Sequence, residues 1–93
     1  MTKQQFASVW EAIEDTPVEA ENMKLRSHLM IQLQDYIARA DLNQTEAAKL
    51  FNVTQPRVSD LMRGKINLFA IDTLVNMAAA AGLKVEIQLR DAA

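Results

Sequence analysis

The chain has 93 residues, 49% of them hydrophobic and 24% charged, a length that suits one compact domain and leaves no room for two. It holds no cysteine and a single histidine, His28, which excludes a disulfide framework, a Cys-based zinc site and a multi-histidine metal centre. The longest charge-free stretch, Thr73 to Leu83, is too short to span a bilayer, and Lys3 is followed by glutamines rather than an apolar leader; a cytoplasmic protein with no membrane contact and no cofactor is expected.

A domain this small hides only about 60% of its unfolded surface, so a partner subunit is an expectation from size alone. The net charge of −2 conceals a segregation. Residues 1 to 23 set Lys3 against Glu11, Glu14, Asp15, Glu19 and Glu21, whereas residues 24 to 65 hold seven bases and four acids. An acidic end and a basic middle imply different partners for the two.

Phe6, Val9, Trp10 and Ile13 recur at the spacing of one helical face and predict a short opening helix. Thr16-Pro17-Val18-Glu19 then reads as a capping box with proline in the first turn. A long helix should begin there, with Leu25, Leu29, Leu33, Tyr36 or Ile37, and Ala40 as its apolar stripe. Asn43-Gln44-Thr45-Glu46 opens a two-turn helix that buries Ala47, Ala48, Leu50 and Phe51, and Asn52, tolerant of a left-handed backbone, ends it. Thr54 caps a third element from Gln55, with Pro56 in the first turn, Val58, Leu61 and Met62 inward, and Gly64 as the stop. Ile71, Leu74, Val75, Ala78 and Ala81 predict another helix, ended by Gly82. Beyond it Leu83, Val85, Ile87 and Leu89 alternate with Lys84, Glu86, Gln88 and Arg90, the pattern of a half-buried strand. A lone strand needs a partner, and self-pairing in a dimer is the favoured solution. The expected organisation is an acidic extension over 1–22 with a short helix and the start of the long one, a helical domain over 23–82, and a strand with its tail over 83–93.

Residues 44 to 64 place small Ala48 on one short helix, a turn at Asn52, and Val58 and Leu61 on the next, as two steeply crossing helices require. In these residues the chain resembles the phage-repressor-like (Xre/Cro) helix-turn-helix family, over roughly Met23 to Gly82. The resemblance implies a mainly α, five-helix, lambda-repressor-like DNA-binding domain, to which the C-terminal strand is added. Asn52 stands where the family commonly has glycine, and Ala70 where it has a Ser or Thr cap, a role Asn67 can take instead. The extension and the strand are similar to those of small single-domain members that act as antitoxins of RelE/HigB-type toxins or as stand-alone regulators.

Advancing 100° per residue from a buried Val58 turns Pro56, Ser59, Asp60 and Arg63 outward, with Arg57 at the flank. A major groove admits one α-helix, where glutamine pairs with adenine and arginine with guanine. Gln55, Pro56, Arg57, Ser59 and Asp60 are therefore the candidate base readers, Gln55 foremost. Gln44, Thr45, Lys49, Thr54, Arg63 and Lys65 are the candidate phosphate contacts, and the resemblance implies that Gln44 also buttresses Gln55. Leu83, Val85, Ile87 and Leu89 are the candidate dimer strand.

Plainer readings stand beside these. Gln55 can also be read as the first residue of a solvated helix and Lys49 as plain surface, Arg63 and Lys65 favour a helix C-terminus, and Asp60 is either an acceptor from cytosine or an ion-pair partner of Arg57 or Arg63. His28 reads as a solvated or interface side chain, and Phe6 and Trp10 as packing or partner contacts. The functional expectation is a homodimeric regulator, a repressor, that reads a palindromic operator in double-stranded DNA. The alternatives are an antitoxin whose acidic end clasps a small basic toxin, and an interaction module on a helix-turn-helix scaffold. With no Ser/His/Asp or Cys/His set, no Gly-rich phosphate loop and only two glycines, an enzyme is not expected.

Overall fold

The computed structural model describes residues 16–91. Among them the chain forms four α-helices, α1 (Pro17–Arg39), α2 (Gln44–Phe51), α3 (Gln55–Met62) and α4 (Ile71–Ala80), with one 3-10 turn, Ile66–Leu68, between the last two. The expected opening helix on Phe6, Val9, Trp10 and Ile13 lies outside the described residues.

Local chemistry sets most of these boundaries. Thr16 is extended and its hydroxyl accepts from the Glu19 N–H at 3.0 Å, with Pro17 following where a missing N–H costs nothing. Asn43 and Glu46 form a reciprocal capping box, at 2.8 and 2.9 Å, at the start of α2. Thr54 accepts from the Arg57 N–H to open α3. The helix stops share one device, a residue in the left-handed region that lets the following N–H reach back five residues. Asp41, Asn52, Gly64 and Gly82 take that conformation, and Leu42, Val53, Lys65 and Leu83 donate to the carbonyls of Ile37, Ala48, Asp60 and Ala78 at 2.9 to 3.1 Å. At α4 the expected Asn67 cap is not used: Ala70 is the N-cap, and no side chain bonds to the helix start from it.

The core is formed by Met30, Leu33 and Ile37 of α1, Ala47, Ala48 and Phe51 of α2, Val58 and Leu61 of α3, Phe69, and Leu74, Met77 and Ala78 of α4. Of the expected stripe of α1, Leu33 and Ile37 are buried, with Ile37 rather than Tyr36 innermost, but Leu25 and Ala40 are exposed and Leu29 is half-buried, and Met30 takes the inner place ahead of Leu33. Met62, expected inward, is 39% exposed.

The expected fold of five helices with a terminal strand is corrected in its last element: Leu83 to Asp91 contains no strand. A strand is completed by hydrogen bonds to a second one, and no other described segment is extended beside it to supply them. Its alternation survives only where a helix lies underneath. Leu83 and Val85 pack against the core, lining a cleft with Leu29, Leu33 and Tyr36 of α1, but Ile87 and Leu89 are 70% and 93% exposed. Leu83, Val85, Ile87 and Leu89 therefore do not form a strand in this chain.

Candidate nucleic-acid interface

α2 and α3 meet across the Asn52 turn, and the contact is carried by small or fully enclosed side chains. Ala47, Val58 and Leu61 have no exposed surface, and Ala48 has little, so the axes can approach closely and the packing of α3 rests on its inner face. Its outer face is left free. Gln55 and Pro56 are exposed at its leading end, and Ser59 and Asp60 are half-exposed one turn on.

The buttress of Gln55 comes from a neighbour of the expected residue. Thr45, not Gln44, reaches it: the Thr45 Oγ1 donates to the Gln55 Oε1 at a long 3.5 Å. Among the described residues nothing engages the Gln55 amide N–H groups, and the residue is exposed. Arg57 is drawn away from the outer face, because it is half-buried with its guanidinium carbon 4.8 Å from the centroid of the Phe69 ring, a cation–π distance. Of the two open readings of Asp60 the structure realises ion pairing, with Arg63 at 3.4 Å and Lys65 at 3.8 Å rather than with Arg57. Both cations remain about half exposed, at 61% and 47%. Asp60 thus fixes the positions of two positive groups beyond the end of α3 while cancelling part of their field.

Gln44, Thr45, Lys49 and Thr54 are all exposed. Gln44 and Thr45 occupy the first two positions of α2, where main-chain N–H groups lack helical partners and the helix dipole favours an anion. The candidate phosphate contacts therefore lie on both sides of the outer face of α3: the α2 start and Lys49 before it, Arg63 and Lys65 after it.

Two positioning residues were missed from the sequence. Gln34 of α1 donates to the Leu61 carbonyl at 2.7 Å, a second bond to an acceptor in the last turn of α3 that also takes the Gly64 N–H at 3.0 Å. Arg26 donates from Nη1 to the carbonyls of Ile66 and Phe69, at 3.3 and 3.5 Å, and is itself steered by Asn22, which accepts from Nε at 2.7 Å. Together they fasten α1 to the end of α3 and to the loop that carries Lys65. Arg26 had a signal: it lies four residues before Met30, in register with the buried stripe, where a charge must find main-chain partners. Gln34 had none beyond following Leu33.

An eight-residue helix held by its inner face, presented past a left-handed turn and flanked by cations, defines a helix-turn-helix protein. A helix-turn-helix domain family model matches residues 12–90. A solved structure of a chain assigned to the XRE family of transcriptional regulators superposes with a TM-score of 0.72 at 33% identity, over 78% of this chain and 82% of that one. No protein of curated function matches. The chain belongs to the XRE-type helix-turn-helix family.

Proposed function

We propose that the protein is a DNA-binding transcriptional regulator that reads a specific operator by seating α3 in the major groove. The observation that supports this most directly is the outer face of α3: Gln55 in contact with Thr45 and its amide N–H groups without a partner among the described residues, Ser59 and Pro56 beside it, and the inner residues Val58 and Leu61 fully buried. A glutamine amide offers the donor and acceptor that adenine presents in the major groove, and the proline ring suits a thymine methyl. Gln55, Pro56 and Ser59 read base edges, with Arg57 and Asp60 at the margin of that surface. Gln44, Thr45, Lys49, Thr54, Arg63 and Lys65 hold phosphates and set the register.

One α3 spans only a few base pairs. Two copies on a palindrome, about one helical turn apart, double the contacts and let symmetry fix the spacing. A dimer seated over a promoter acts as a repressor. The competing reading, an antitoxin or a pure interaction module, draws on the acidic charge of residues 1 to 23 rather than on this surface.

A mobility-shift titration against the protein's own promoter, with Gln55→Ala and Arg57→Ala combined, separates the readings. Loss of a bidentate base contact costs about 1–3 kcal/mol per site, so at least a tenfold loss of affinity is expected from a twofold-symmetric complex. Unchanged promoter binding by the variant would leave the helix-turn-helix as a scaffold for protein contacts.

A further inference from the structure

Arg57 leaves the first turn of α3 half-buried, its guanidinium carbon 4.8 Å from the centroid of the Phe69 ring. Phe69 is a fixed support: its side chain lies in the core, and its carbonyl accepts from Arg26 of α1 at 3.5 Å. The ring compensates one face of the cation and none of its N–H groups. Among the described residues no carboxylate lies within ion-pairing distance of Arg57 and no acceptor takes a hydrogen bond from its side chain; Asp60, the acid of α3, pairs with Arg63 and Lys65 instead. A partly desolvated guanidinium whose five donors are unfilled is half of a binding site.

We propose that Phe69 holds Arg57 as a clamp for a DNA phosphate, so that Arg57 grips the backbone and does not read a base. The inference rests on the seating of α3 in a major groove. In that pose outward side chains face base edges, whereas side chains on the flanks of the helix meet the phosphate strands that border the groove. The stack draws the guanidinium off the outer face that carries Gln55 and Ser59, toward the segment that runs from Lys65 to Phe69. An arginine lying on an aromatic ring keeps its planar N–H fork clear, and that fork matches two phosphate oxygens. The fixed ring also removes side-chain freedom before DNA arrives, so less is lost on binding. Phe69 thus sets the direction of the cation, and the phosphate supplies the acceptors that the protein does not.

Arg57→Gln keeps a planar polar end and deletes the charge. In mobility-shift titrations of the full chain on its own promoter and on an unrelated duplex of equal length, it weakens binding to both by the same factor. The fall of log affinity with log salt becomes shallower by about 0.9 per bound copy. A loss confined to the promoter would make Arg57 a base reader, and unchanged affinity on both duplexes would make it a packing residue; either overturns the proposal. A parent chain that binds neither duplex is a different outcome, which removes the DNA reading and the clamp together. The part played by Phe69 is read separately. In the free parent protein the ring current moves the Arg57 δ-methylene protons upfield of their random-coil positions; unshifted protons would overturn the clamp without any variant having to fold. Phe69→Leu, titrated well below its unfolding transition, weakens binding to both duplexes when Arg57 is present and adds nothing in the Arg57→Gln background. Equal losses in the two backgrounds would leave Phe69 a core residue only and overturn the clamp.

Discussion

The two halves of α1 share one unbroken helix and are held by different forces. From Arg26 onward Met30, Leu33 and Ile37 are buried, and Arg26 and Gln34 bond to the main chain around the end of α3. Before it the helix relies on the Thr16 cap, the exposed Lys24–Glu21 pair at 4.0 Å, and intrinsic propensity. A cap contributes about 1 kcal/mol and an exposed ion pair less, whereas a buried leucine contributes several. The site-bearing half is thus held by tertiary contacts and the leading half by local ones. Substitutions along a single helix should divide accordingly.

The largest effect is expected at Leu33, which lies against the core from the middle of α1. Leu33→Ala removes buried methyl groups and leaves a cavity, lowering stability by about 3 kcal/mol. Glu21→Ala in the leading half should stay within about 0.5 kcal/mol. Denaturant titration of the two variants breaks the comparison if their midpoints shift alike.

Next comes Arg26, whose guanidinium serves two carbonyls on the far side of the interface. Arg26→Met keeps the aliphatic stem and deletes the donors, at about 2 kcal/mol. Because those carbonyls belong to the first residue of the 3-10 turn that follows Lys65 and to the residue just past it, DNA affinity should fall further than the fraction unfolded explains. Mobility-shift titration well below the unfolding transition checks this. Gln34→Leu should behave in the same sense and more mildly, since it removes one hydrogen bond rather than two and the Leu61 carbonyl keeps the Gly64 N–H.

The same division governs what the sequence disclosed. Caps and stops are interactions among residues three to five apart, and Thr16-Pro17, Asn43 with Glu46, Asn52, Thr54-Pro56, Gly64 and Gly82 could each be read as a boundary and serve as one. The outward set on α3 followed from placing Val58 inside. The phase of α1 followed only in its second half, because Leu33 and Ile37 belong to both candidate stripes, and the one containing Leu25 and Leu29 has more apolar residues than the true one, which begins with Arg26. The tail misled for another reason: a helix bonds to itself, but a period-two pattern forms a strand only where another strand exists to pair with it. Arg57 on Phe69 was equally hidden, since a contact between residues twelve apart depends on the loop between them.

A smaller effect is expected at the turn between α2 and α3. Asn52 holds φ 58° and ψ 46°, a left-handed conformation that costs an ordinary L-residue about 1–2 kcal/mol and asparagine less. Asn52→Ala should destabilise by about 1 kcal/mol and Asn52→Gly should match or slightly exceed the parent. Thermal unfolding that ranks alanine with glycine would mean that the turn is not held left-handed in solution.

Asp60 gives the finest test, because it distinguishes site chemistry from site support. Its carboxylate pairs with Arg63 and Lys65, and the pairs are exposed enough to add little to stability; Asp60→Asn should unfold close to the parent, within about 0.5 kcal/mol. Its consequence should appear on DNA. Removing an anion between two phosphate-seeking cations raises affinity for any duplex, by about 1 kcal/mol or several-fold, and the gain shrinks as added salt screens the phosphates. If Asp60 instead leaves its cations on binding and accepts from a cytosine amine, operator affinity falls while affinity for unrelated duplex rises. Parallel titrations on operator and unrelated DNA at two salt concentrations distinguish an acid that positions two cations from an acid that reads a base.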